Sequence, residues 1–127
     1  MVAYAHGASS PTDRAEVPAL TDEQVDRIFR ALADATRRDI VRRTLSAPAN
    51  VSALAADYEM SFAAVQKHVR VLEGAGLVRK EQQGRERVVH GVPRTISGIQ
   101  DLLGAYAEIW RGRITRLDAL FDEEQSA

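Results

Sequence analysis

Ala63, Gln66, Lys67 and Arg70 follow one another at steps of three, one and three residues. At about 100° per residue this spacing places all four on one arc of a helix. The chemistry of that arc is recognition. Lys67 and Arg70 carry long cationic side chains, Gln66 carries an amide able to bond adenine N6 and N7 together, and Ala63 permits close approach. On the opposite arc Val65, Val69 and Leu72 form an apolar stripe with Phe62 at its edge. Ser61 is placed to cap the helix, and Met60 to staple onto Val65. Taken alone, Ser61–Leu72 fits both a helix that enters a DNA groove and an ordinary solvated amphipathic helix. The surrounding elements decide between them.

Upstream, Thr21 and Gln24 make a capping box, and Leu20 with Val25 a hydrophobic staple, so a helix starts there. Val25, Ile28, Phe29 and Leu32 line one of its faces. Asp34 then caps a second helix over about Ala35 to Leu45, with Ile40, Val41 and Leu45 on its apolar side and Arg37, Arg38, Arg42 and Arg43 as a basic surface. After Pro48, Asn50 caps a short helix bearing Val51, Leu54 and Ala55. The gap from Asp57 to Met60 turns the chain into the Ser61–Leu72 helix, giving a helix-turn-helix.

Downstream, Leu77–Glu81 and Arg87–Val92 read as two strands around a polar loop, Gln82–Glu86, with Gly84 at its tip. A hairpin in that place is the wing of a winged helix. From it Gln83, Arg85 and Arg87 would reach the sugar–phosphate backbone or the minor groove, the alternative being a structural hairpin with solvated charges. Pro93 opens a last helix along which Ile96, Ile99, Leu103, Tyr106, Trp110, Leu117 and Leu120 recur at alternating steps of three and four, interrupted only by Arg113. At 3.6 residues per turn the stripe runs for more than about six turns. That exceeds what a small helical core covers, which points to a second subunit.

Composition bounds the rest. The chain of 127 residues is 45% apolar and 28% charged, enough for one globular domain. It has no cysteine, so disulfides and thiolate metal sites are excluded. No apolar run approaches the roughly 20 residues of a membrane span, and a secretory leader pattern is lacking, which fits a cytoplasmic protein. The net charge of −1 conceals segregation: residues 1–35 hold 3 Lys/Arg and 6 Asp/Glu, residues 36–94 hold 11 and 6, and residues 95–127 hold 3 and 6. The basic middle coincides with the helix-turn-helix and favours a polyanion partner. No nucleophile elbow, phosphate-cradling glycine loop or metal-ligand cluster occurs, so no enzymatic activity, metal or cofactor is expected. His6 and His90 suggest no chemistry.

Over roughly Asp26 to Phe121 these residues resemble the ArsR-type (arsenical-resistance repressor) family of winged helix-turn-helix regulators, in particular its cysteine-free members. The resemblance is carried by Ala31-Leu32-Ala33-Asp34-Ala35-Thr36-Arg37-Arg38-Asp39-Ile40, by Ser61–Val78, and by Trp110 with Leu117-Asp118-Ala119-Leu120. It implies double-stranded DNA as partner, a homodimer, and a DNA contact from His68, which also lies where it could simply pack. The family usually has Pro in place of Ala35, Ser in place of Gln66 and often Leu in place of Val69. Gln66 therefore suggests a changed base preference. A second metal site known in some relatives finds no counterpart, because the last helix has Asp101, Glu108 and Asp118 but no histidine.

The expected fold is mainly α with a small β-hairpin: a winged helix-turn-helix of four helices, the hairpin and a fifth helix, dimerising through the first and last helices. Residues 1–19 are expected as a flexible tail, 20–122 as the DNA-binding and dimerisation domain, and 123–127 as a C-terminal tail. The expected DNA-contacting set is Ser61, Ala63, Gln66, Lys67, His68, Arg70, Arg37, Arg38, Arg85 and Arg87. The expected dimer set is Ile28, Phe29, Leu103, Tyr106, Trp110 and Leu117. The function implied is a repressor bound to an inverted-repeat operator. The alternatives are a winged-helix protein–protein adaptor that does not read DNA, and a repressor released by a small apolar effector near Tyr106 and Trp110.

Overall fold

The computed structural model of the chain describes residues 19–126. The expected tail before Ala19, with His6, lies outside the described residues, as does Ala127. In chain order the elements are α1 (Asp22–Leu32), α2 (Ala35–Ser46), β1 (Ala49–Asn50), α3 (Val51–Asp57), α4 (Phe62–Gly74), β2 (Val78–Gln83), β3 (Glu86–Gly91) and α5 (Pro93–Ser126). The fold is mostly helical, with five helices and a small antiparallel sheet among the described residues.

Each of the first four helices starts at a side-chain cap that relieves an orphan backbone N–H. Thr21 and Gln24 close a reciprocal capping box on α1. Asp34 accepts from the Arg37 amide at 3.0 Å, Asn50 from Ala53 at 2.6 Å and Ser61 from Ala64 at 3.1 Å. Such a cap contributes about 1 kcal/mol.

The end of α4 is as well specified as its start. Gly76 takes φ +74°, the Leu77 amide donates to Leu72 O, and the Gly76 amide donates to Glu73 O. These two bonds make a Schellman motif, which needs glycine at the left-handed position. Leu77, the next residue, is fully buried. The chain is thereby turned directly from α4 into the hairpin, and the Thr95 hydroxyl donates to Gly76 O at 2.5 Å.

The sheet has three strands in the order β1-β3-β2, where sequence patterning indicates only a hairpin. The extra strand is two residues long: Ala49 pairs with Val89 and Asn50 with Val88. The hairpin itself is longer than expected. Gln82 and Gln83 continue β2, Glu86 begins β3, and Gln83 faces Glu86 across a two-residue loop, Gly84-Arg85. Gly84 has φ +62°, the glycine-first geometry that matches strand twist in such short loops.

The described residues form two compact units, Ala19–Ser97 and the stretch beginning at Gly98. In the first unit Ile28, Ile40, Leu54, Val65, Val69, Leu72, Leu77 and Val89 expose no surface and form the core, drawing on α1 to α4 and the sheet. Thr44 is also buried, its hydroxyl donating to Ile40 O at 2.8 Å. In the second unit the rest of α5 runs on as helix to Ser126, through residues expected as a C-terminal tail. Leu103, Tyr106, Ile109, Trp110, Ile114, Leu117, Leu120 and Phe121 are all exposed along it, Trp110 by 56% and Tyr106 by 59%.

Candidate nucleic-acid interface

Helix α4 presents the expected recognition arc. Val65, Val69 and Leu72 are completely buried, so the opposite side of the helix must face outward, and Ala63, Gln66, Lys67 and Arg70 are all exposed there. Ser61 is exposed at the helix start. Its oxygen accepts from the Ala64 amide, which leaves its O–H as a donor toward a ligand.

Charge pairing sharpens this surface. Arg42 pairs with Asp39 at 2.7 Å, Arg43 with Asp57 at 2.7 Å, Arg79 with Glu81 at 3.3 Å and Lys80 with Glu73 at 3.3 Å. By contrast Lys67 and Arg70 on α4, and Arg85 and Arg87 on the hairpin, have no ion pair or side-chain hydrogen bond among the described residues. An unpaired exposed cation keeps its full charge available to a polyanion. Arg85 stands in the two-residue loop itself, at the extremity of the wing.

Arg37 and Arg38, expected to contact phosphates, both make hydrogen bonds within the protein. The Arg37 guanidinium donates through Nε to Ala31 O at 2.7 Å, through Nη2 to Arg30 O at 3.1 Å, and through Nη1 to His68 Nδ1 at 3.3 Å. All three nitrogens are engaged within the protein, two of them on carbonyls in the last turn of α1. Arg38 is exposed but ties one nitrogen to Leu32 O at 2.7 Å. His68 is half-buried on α4 with Nδ1 held by Arg37. Nothing in the sequence pattern marks these bonds, since an arginine cluster on a helix looks the same whether solvated or folded back.

A second network fixes the helix preceding α4. The Tyr58 hydroxyl donates to Asp39 Oδ2 at 2.6 Å, and the Arg43 guanidinium lies 5.5 Å from the centre of the Tyr58 ring. The Tyr58 hydroxyl and then Arg42 hold the Asp39 carboxyl below its ordinary range. Burial, followed by the Asp39 contact, pushes the Tyr58 hydroxyl above its ordinary value. This ties α2 to the turn after α3 and so sets where α4 begins. On the hairpin, Gln83 and then Arg79 lower the Glu81 carboxyl. His90 Nε2 lies 3.8 Å from Glu81 Oε1 and is buried without a hydrogen-bond partner among the described residues.

Of the expected dimer residues, Leu103, Tyr106, Trp110 and Leu117 are exposed on α5, and Phe29 is 43% exposed on α1. Ile28 is not available to a partner, having no exposed surface within the single chain. Phe62, placed by its wheel position at the margin of the apolar stripe, is 47% exposed. No group of three or more metal-ligating residues gathers among the described residues, and no described helix is long and apolar enough to cross a membrane.

Comparison with known proteins fits this geometry. A helix-turn-helix domain family matches residues 32–81. The HTH-type transcriptional regulator Rv2034 of Mycobacterium tuberculosis is 36% identical over 99 residues, covering 78% of this chain and 90% of its own length. The crystal structure of the ArsR family transcriptional regulator RHA00566 superposes with a TM-score of 0.68 at 35% identity, covering 74% of this chain and 97% of that one. A fragment of Mb0332 from Mycobacterium bovis, described as a homodimeric winged helix-turn-helix DNA-binding domain, shares the fold at 20% identity, with a TM-score of 0.56 and coverage of 72% and 91%. By its winged helix-turn-helix and by relatives at 35% and 36% identity that it matches over 97% and 90% of their length, the chain belongs to the ArsR family of winged helix-turn-helix transcriptional regulators.

Proposed function

We propose that this regulator is a cytoplasmic repressor that binds an inverted-repeat operator as a homodimer. The observation that carries this is the outward arc of α4, where Gln66, Lys67 and Arg70 stand exposed with no side-chain hydrogen bond or ion pair among the described residues. The winged helix-turn-helix brings such a helix into the major groove. Gln66 selects a base, with Ala63 allowing the approach, while Lys67, Arg70 and the wing residues Arg85 and Arg87 bind phosphates or bases beside it. Ser61, His68 and the exposed side of Arg38 add contacts at the edge.

The dimer is formed by the apolar face of α5 around Leu103, Tyr106, Trp110 and Leu117, together with Phe29 on α1. So many large apolar side chains in one row exceed what a monomer ordinarily exposes, and a second copy supplies a matching face by two-fold symmetry. Two recognition helices then address successive major grooves about 34 Å apart, which calls for an operator of inverted symmetry. Occupying a promoter in this way excludes polymerase.

The test is selection of genomic fragments by the purified full chain, followed by mobility shift of the recovered sequences at increasing salt. The expected outcome is an inverted-repeat consensus whose affinity falls steeply with salt as counterions are released. Failure to retain any fragment would favour the adaptor reading instead.

A further inference from the structure

Phe62 begins α4 immediately after its cap and is 47% exposed, whereas Val65, Val69 and Leu72 on the neighbouring stripe expose nothing. An aromatic ring left half in water contributes little to folding for its size. It stands one helical turn before Gln66, so the two side chains are i, i+4 neighbours on the surface. Arg70 follows within about 80° around the helix and Lys67 lies further round, neither with a carboxylate partner among the described residues. A single ring among an amide and two cations is too small an apolar patch for a protein partner, which needs a far wider contact. It suits a nucleic-acid groove.

We propose that Phe62 is a specificity-determining residue whose ring packs on the 5-methyl group of a thymine, next to the base addressed by Gln66. The inference rests on the reading that α4 enters the major groove. There the first turn of a recognition helix meets base edges, and the thymine methyl is the apolar group those edges present. A phenyl ring offers nothing to a phosphate oxygen, so its contribution must differ between sequences. Lys67 and Arg70, in contrast, can serve any backbone. Ala63, the next residue, keeps the side chain beside the ring small.

The experiment begins with selection of duplexes from a random-sequence pool by the full-length protein. Each thymine of the selected half-site is then replaced in turn by deoxyuridine, which removes only the methyl group, and affinity is measured for the wild type, Phe62→Ala and Phe62→Leu. One position per half-site is expected to lose affinity by about 4-fold in the wild type, the worth of one buried methyl. Phe62→Ala should bind the parent duplex more weakly, lose that uracil effect, and keep the wild-type salt slope, while Phe62→Leu should retain part of the effect. Because the ring is half exposed, thermal unfolding of Phe62→Ala should stay near the wild type, and a variant that does not fold leaves the leucine variant to decide. A wild-type protein indifferent to every uracil, or a uracil effect unchanged in both variants, would overturn the assignment while DNA binding stands. If the wild type selects no duplex, the groove reading falls and this inference with it.

Discussion

Arg37 Nη1 approaches His68 Nδ1 to 3.3 Å, joining the second helix to the recognition helix. A guanidinium has no acceptor, so His68 Nδ1 must accept, and the neutral ring carries its proton on Nε2. Arg37→Ala is expected to release both this tautomer and the two carbonyls at the end of α1. Nitrogen-15 NMR should show Nδ1 unprotonated in the wild type and a mixed ring in the variant. Stability should fall by roughly 1–3 kcal/mol, since hydrogen bonds to a charged donor are lost. Arg37→Lys should not restore it, because an ammonium cannot span three acceptors in a plane.

The paired and unpaired cations should separate in a salt titration. Lys67→Ala and Arg70→Ala are each expected to reduce the slope of log affinity against log salt by about 1. Arg42→Ala should leave it unchanged, because Arg42 is already held by Asp39 at 2.7 Å. Equal slopes in all three variants would mean that the two α4 cations do not meet phosphates.

Gln66→Ala should change which base is preferred at one position of each half-site, by about 1–3 kcal/mol, when the selection is repeated with the variant. Arg85→Ala at the wing tip should weaken all sequences alike.

At Gly91 a β-carbon would fall 2.8 Å from the backbone nitrogen of Leu45 and 2.9 Å from its side chain. One of these is backbone, which cannot step aside. Gly91→Ala is expected to destabilise the fold by about 1–3 kcal/mol through overpacking, read as a lower denaturant midpoint.

Stability should decline at both ends of the pH scale. Asp34, held down first by the Arg37 amide, and Asp39, held down first by the Tyr58 hydroxyl, have folded-state values below their ordinary 3.8. Their contribution is present above that value and is lost as pH falls below it through the folded values. Tyr58 is raised above its ordinary 10.0, so its contribution is present below pH 10 and is lost as pH rises through the raised value. Thermal melting should be flat between about pH 5 and 9 on this account. Tyr58→Phe should lower the plateau and remove the alkaline component.

What was legible in the sequence was local. The caps at Thr21, Asp34, Asn50 and Ser61 act over three residues, and the Val65, Val69, Leu72 stripe repeats within one helix. Strand β1 was not legible, because Ala49 and Asn50 carry no strand pattern and become a strand only by pairing with Val89 and Val88, about forty residues on. The fold-back of Arg37 is hidden for the same reason: its partner His68 is 31 residues away. The wheel places Phe62 at the edge of the stripe but does not give its degree of exposure, because that depends on how far neighbouring elements extend. The sequence suggests a wider wing loop because Gln82, Gln83 and Glu86 are polar, yet the exposed tip of the hairpin pairs as strand without apolar alternation.

The local pairing of Arg42, Arg43, Arg79 and Lys80 with carboxylates has a consequence for behaviour in a genome. Attraction to random DNA scales with the phosphates a protein neutralises, and every site other than the operator competes through that attraction. With these four cations cancelled locally, a salt-dependent background on random DNA should rest on the open ones, Lys67, Arg70, Arg85 and Arg87. Restoring a fifth cation by Asp39→Asn, which frees Arg42, should therefore raise affinity for random DNA at low salt.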